Sequence, residues 1–218
     1  MVPAAAGADE FYFVLVFGAQ RVPNRPKYSH SFATFVRAVG DGPAVDTYAL
    51  EAHTISWLPE TMDIHVFRPL PERGRNFDLD TTLQAVRQMC DRVSLWGPYQ
   101  IRRELYDSAL EQIARLESGA VRYKAVDVLH RTSRTSNCIH ALSDALNGQR
   151  RLWVLSPGFG QNASADIVLR YAPWLIDQDQ IHDWVALRLG VDTQTVIRRE
   201  FSDEPHGIHH SLLPAAWR

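Results

Sequence analysis

The chain has 218 residues, enough for one sizeable core or two small ones, with 45% hydrophobic and 22% charged residues. Its formal net charge of −2 gives no strong field for nucleic acid or an acidic membrane surface. Two cysteines, Cys90 and Cys138, cannot form a disulfide framework, and no apolar run is long enough to span a bilayer.

Met1 to Glu10 lacks the basic start and apolar stretch of a signal peptide, so the sequence as it stands reads as cytoplasmic unless a targeting segment has been removed. Phe11 to Phe17 is a continuous apolar and aromatic run, read as a buried strand. Gly18, Pro23, Asn24 and Pro26 mark a loop. His30 to Val39 is strand-like. Gly40-Asp41-Gly42-Pro43 signals a turn, and Val45 to Trp57 reads as the return strand. Met62 to Phe67 reads as a further short strand, followed by a loop from Pro69 to Asp78.

The period then changes to that of helices. Asp78 or Asp80 can cap a helix carrying Leu83, Val86, Met89 and Val93. Trp96-Gly97-Pro98 is expected to break it, and a second helix is expected over Tyr99 to Glu117. Val121 to Val128 reads as a short strand or extended link. Leu152 to Leu155 reads as extended, and Ala163 to Tyr171 and Pro173 to Leu189 as helices. Strands first and helices afterwards define an α+β protein. The expected organisation is a core over 1–150, with a helical insertion at about 78–118, and an appended helical region over 151–218.

The most informative stretch is Thr135-Ser136-Asn137-Cys138-Ile139-His140-Ala141-Leu142. Ser136 or Asn137 can cap a helix whose apolar face is Ile139, Leu142 and Leu146 and which Asn147-Gly148 closes. Cys138 then sits in the first turn, where the helix dipole and free N–H groups are expected to lower its thiol pKa. That is a setting for a cysteine nucleophile, and equally a common place for a small buried residue. If Asp41-Gly42 forms a two-residue hairpin tip, paired residues sum to 83 and His30 faces His53. One imidazole can then take a thiol proton while the other fixes its tautomer.

The order Ser29-His30-Ser31-Phe32, then His53, then Asn137-Cys138 resembles the circularly permuted papain-like cysteine hydrolases, a group that includes lecithin–retinol acyltransferase-like proteins and permuted cell-wall peptidases. The resemblance spans roughly residues 11–148. It implies a permuted papain-like fold, with a small antiparallel sheet preceding the nucleophile helix, and a thiol hydrolase or acyl transferase acting on an amide, ester or thioester. It implies Cys138 as nucleophile, His30 as general base and His53 as the orienting group. The Cys138 backbone N–H would serve as oxyanion donor, supported by Asn137 and by Gln20 or Tyr28. No cofactor and no metal are expected, and the partner is a small-molecule, peptide or acyl substrate. The alternative from another class is a catalytically inactive binding protein on the same fold.

Other features carry less. Residues 181–200 resemble a helix-turn-helix, with Thr193, Gln194 and Arg198 where a recognition helix would read DNA, but no broad basic patch flanks them and nucleic acid is not expected. Cys90 reads as structural. His206, His209 and His210 read as a solvated tail, Gly158-Phe159-Gly160 lacks the rest of a phosphate loop, and Arg68, Arg73 and Arg75 read as a solvated loop. Asp127 reads as a turn residue that can also reach the site.

Overall fold

A computed structural model describes residues 9–127, 134–145 and 159–201. The protein is α+β. Its main sheet has the order β3-β2-β1-β6-β9. The strands are β1 (Asp9–Gln20), β2 (Ser29–Gly40), β3 (Ala49–Ile55), β6 (Arg92–Ile101) and β9 (Ile197–Arg199), the last parallel to β6 and the others antiparallel. A smaller sheet joins β4 (Trp57–Pro59), β5 (Glu72–Asn76), β7 (Arg122–Tyr123) and β8 (Thr135–Ser136), with β7 and β8 parallel.

The unbroken apolar run of β1 has a direct cause: helices cover both faces of the main sheet. Tyr12, Val14 and Val16 pack with α2 (Arg103–Glu117), α3 (Cys138–Ser143) and α4 (Gln161–Tyr171). Phe13, Leu15, Phe17 and Ala19 pack with α1 (Leu79–Met89) and α5 (Asp183–Arg188). Alternate residues of one strand therefore feed two separate cores, and no position is free to be polar.

Three expectations need correction. First, β6 replaces the end of one predicted helix and the start of the next. Val93, Leu95, Trp96, Tyr99 and Ile101 are buried in it, beside the central strand. Trp96-Gly97-Pro98 lies inside the strand at a bulge, where the pairing with β1 shifts between Val14 and Val16. Gly97, at φ +79°, supplies the left-handed residue there, and proline is tolerated where the ladder is already interrupted. The segment over 78–118 is therefore helix, strand, helix.

Second, the β2–β3 connection is wide. Paired residues sum to 88, as in Phe35 opposite His53, and a short 3-10 turn at Val45–Thr47 lies in the loop. Pro43 has no N–H for a ladder close to the tip. Tyr48 instead folds over Gly40, where any Cβ would lie 2.4 Å from its ring, and its hydroxyl donates to the Gly42 carbonyl at 2.8 Å. The shift of five residues turns His30 and His53 to opposite faces.

Third, Met62 to Phe67 is loop, while β5 occupies part of the predicted 69–78 loop. After α5 the chain makes turns and then β9, so Thr193, Gln194 and Arg198 lie on no second helix. The segment after 150 contributes α4, packed on β1, and β9, at the edge of the main sheet. Leu146, Asn147-Gly148, Leu152 to Leu155, Gly158 and the three tail histidines lie outside the described residues.

Candidate thiol site

Cys138 is the first residue of α3, and Asn137 is its cap. The Asn137 side-chain oxygen accepts the His140 N–H at 2.8 Å. Its amide group donates to the Ala125 carbonyl at 3.3 Å and to Asp127 Oδ1 at 3.1 Å. Asp127 Oδ2 takes the His140 Nδ1 at 2.6 Å. Asp127 is fully buried, so the turn residue read from the sequence is an anchor for the cap and for the first turn of α3.

Other bonds hold the short helix in place. Trp57 Nε1 donates to the Ser136 carbonyl at 3.2 Å. Gln112 donates to the Ala141 carbonyl at 2.9 Å, and the Tyr171 hydroxyl to the Leu142 carbonyl at 3.1 Å. The first of these satisfies a carbonyl that a six-residue helix leaves over, and the second adds to the Ala145 N–H already on the Leu142 carbonyl.

The backbone N–H groups of Ser31, Ile139 and Cys138 itself lie near enough to the Cys138 Sγ to favour its thiolate. β3 begins its pairing with β2 only at Ala33, which leaves the outer edge of β2 open at Ser31 for the thiol. A crevice of about 30 Å³ reaches the thiol between Ser29, Ile64, Val66, Tyr123 and Asn137, room for one water-sized group. Burial pushes the Cys138 thiol up to about 11, with the nearby Asp127 carboxylate adding to it. The N–H groups pull the other way, as expected of a first turn, but desolvation is the larger effect and reverses the expected lowering.

His30 leaves β2 on the face that carries Phe32, and its ring stacks on that phenyl at 5.4 Å between centroids. Its Nε2 is 2.9 Å from the Ser56 Oγ, which is 2.8 Å from the Thr82 Oγ1. Thr82 donates to the Asp78 carbonyl at 2.7 Å. The other ring nitrogen of His30, Nδ1, is buried and has no hydrogen-bond partner. Burial lowers the imidazole pKa to about 3. No hydrogen bond joins His30 and Cys138 among the described residues.

His53 is elsewhere. It sits opposite Phe35 on β3, partly exposed, with Nε2 3.0 Å from Glu51 Oε1 and its ring edge-on to Tyr106. Gln20 accepts the Gln161 N–H at 2.9 Å and so caps α4. Tyr28 lies under the Arg21 guanidinium, 3.9 Å from its ring centroid. Neither Gln20 nor Tyr28 lines the thiol crevice.

Cys90 ends α1 and donates to the Tyr28 carbonyl at 3.4 Å, and burial pushes its thiol up to about 11. Arg68 pairs with Glu72 and Arg73 with Glu60, while Arg75 lies over the Phe77 ring. Among the described residues no cluster of three or more histidine, cysteine, aspartate or glutamate side chains is placed to hold a metal. Nor is any described helix long and apolar enough to cross a membrane.

The residues that reading the sequence missed are Ser56 and Thr82. Thr82 had a usable signal, since it falls on the apolar face of α1 with Leu79, Leu83 and Val86, where a polar side chain needs a partner. Ser56 had none, because its role depends on where the chain turns from β3 into β4.

A scan against protein-family models and searches of curated proteins and of solved structures find no match to this chain.

Proposed function

We propose that the chain is a thiol-dependent hydrolase or acyl transferase on a permuted papain-like fold, with Cys138 as nucleophile and His30 as general base. The observation that carries this is the contact between Sγ and the Ser31 N–H. That N–H belongs to the peptide unit joining His30 to Ser31, so the thiol sits beside the backbone of His30. The same histidine has one ring nitrogen held by Ser56 and the other, buried Nδ1 without a partner.

Burial favours the neutral forms of both groups, so the resting pair is thiol and imidazole. The proton then moves from Sγ to His30 Nδ1 as the sulfur–carbon bond forms to an amide, ester or thioester carbonyl. The N–H groups around Sγ lie where they can take up the developing oxyanion. The imidazolium returns the proton to the departing amine, alcohol or thiol, and water or another acceptor then resolves the acyl-enzyme. His53 has no part in this scheme, since Glu51 and the Tyr106 ring hold it on β3.

The test is p-nitrophenyl acetate turnover followed by intact-mass measurement. An acetyl group on Cys138 and a burst of p-nitrophenolate are expected, and both are lost in Cys138→Ala. Turnover that survives Cys138→Ala removes the proposal. A second reading, a binding protein without catalysis, is favoured by one observation: the His30 ring projects to the sheet face away from α3. It takes over if no acyl-enzyme forms while the crevice still takes up small apolar ligands.

A further inference from the structure

Ser56 and Thr82 are both fully buried, and both lie beside His30 rather than beside the thiol. Three hydrogens are available to this group: one on the imidazole, one on Ser56 and one on Thr82. The Asp78 carbonyl can only accept, so the Thr82 hydroxyl donates to it. Thr82 is placed to donate to Ser56 as well, but its one hydrogen serves the Asp78 carbonyl, so a bond between the two hydroxyls takes the Ser56 hydrogen. With its hydrogen committed, Ser56 can only accept from His30, which places the ring hydrogen on Nε2. This direction makes three bonds from three hydrogens and leaves over only a lone pair on Nδ1.

The reverse direction is worse on two counts. Thr82 would donate to Ser56 and Ser56 to Nε2, so the hydroxyl bond to the Asp78 carbonyl is lost and that carbonyl keeps only the Thr82 N–H. The ring hydrogen would move to Nδ1, where a buried N–H donor would have no acceptor. The Phe32 ring stacked on the imidazole restricts rotation out of this arrangement.

We propose that Ser56 and Thr82 are positioning residues that hold His30 in its Nε2–H tautomer and so keep the Nδ1 lone pair for a proton. This rests on the reading of Cys138 and His30 as nucleophile and base. Ser56 takes the orienting role that the sequence resemblance gave to His53. Thr82, reaching in from α1, fixes the direction of the Ser56 hydroxyl, so a helix on the far face of the sheet sets the protonation pattern of the ring.

The experiment is ¹⁵N–¹H correlation of the His30 ring in the labelled full chain, together with the rate of Cys138 alkylation by iodoacetamide in a Cys90→Ser background. The wild-type ring should show a protonated Nε2 and an unprotonated Nδ1. Ser56→Ala should mix the tautomers and slow alkylation by about 10²-fold, the lower end of what a general base supplies. Thr82→Val should shift both readouts the same way, and Thr82→Ser, which keeps the hydroxyl, should restore them. A wild-type ring protonated on Nδ1 overturns the proposal with no variant needed. So does Ser56→Ala with unchanged tautomer and rate in a folded protein. His30→Ala separates the two ideas: if it alkylates at the parental rate while the Nε2–H tautomer is seen, the thiol–imidazole reading fails and the tautomer assignment stands.

Discussion

Two histidines are buried among the described residues, at the ends of two different networks. His140 lies behind the cysteine helix, with Asp127 on its Nδ1 and the Asn137 cap on its backbone N–H. His30 lies across the sheet, with a serine hydroxyl on one nitrogen and nothing on the other. A carboxylate partner on the first ties cap and helix to it. A hydroxyl partner leaves the second neutral, with a basic lone pair unspent. A buried histidine is thus structural or chemical according to what its partner demands of it. The first network fixes the place of the cysteine, and on the proposed reading the second would supply its proton acceptor.

The largest expected effect falls on the Asp127 network. Asp127→Ala removes the partner of His140 and of the Asn137 amide at once. It should cost about 3 kcal/mol, the upper end of the range for leaving a buried polar group without its partner. Urea denaturation checks this, and a loss no larger than that of a surface substitution would dissolve the contrast between the two sites.

The next effect belongs to the neutral network and follows from its protonation. The folded-state pKa of His30 is about 3, below the ordinary 6.5, so between those values the unfolded chain binds a proton that the folded chain refuses. The stability His30 allows is fully present above pH 6.5 and falls as the pH drops toward 3. Between pH 6.5 and 5, where carboxylates remain ionised, the loss is about 2 kcal/mol. His30→Gln should flatten that part of the stability profile. The smallest effect is His53→Ala, which removes a partly exposed contact to Glu51. It should change stability by about 0.5 kcal/mol or less and leave Cys138 alkylation unchanged.

Much of this was legible in the chain itself. The apolar run of β1, the strand through His30, the faces of α1 and α2, the Asn137 cap and Cys138 at the start of its helix are local patterns of spacing and capping. What could not be read depends on distant partners. The hairpin register turned on Tyr48 closing over Gly40, which outweighed an attractive Asp-Gly tip. β6 was hidden because Gly97-Pro98 looks like a helix break unless a bulge in a sheet is already in view. The direction of the Cys138 shift was set by how deeply tertiary packing buries the thiol, which no first-turn argument contains.

The most direct test of the central claim is the rate of Cys138 alkylation by iodoacetamide at pH 7, comparing His30→Ala with its parent, both carrying Cys90→Ser. A neutral thiol whose proton is taken by His30 should lose about 10²-fold in rate when the imidazole is removed. Equal rates in two folded proteins would contradict the claim, leaving Cys138 a buried thiol with no base beside it.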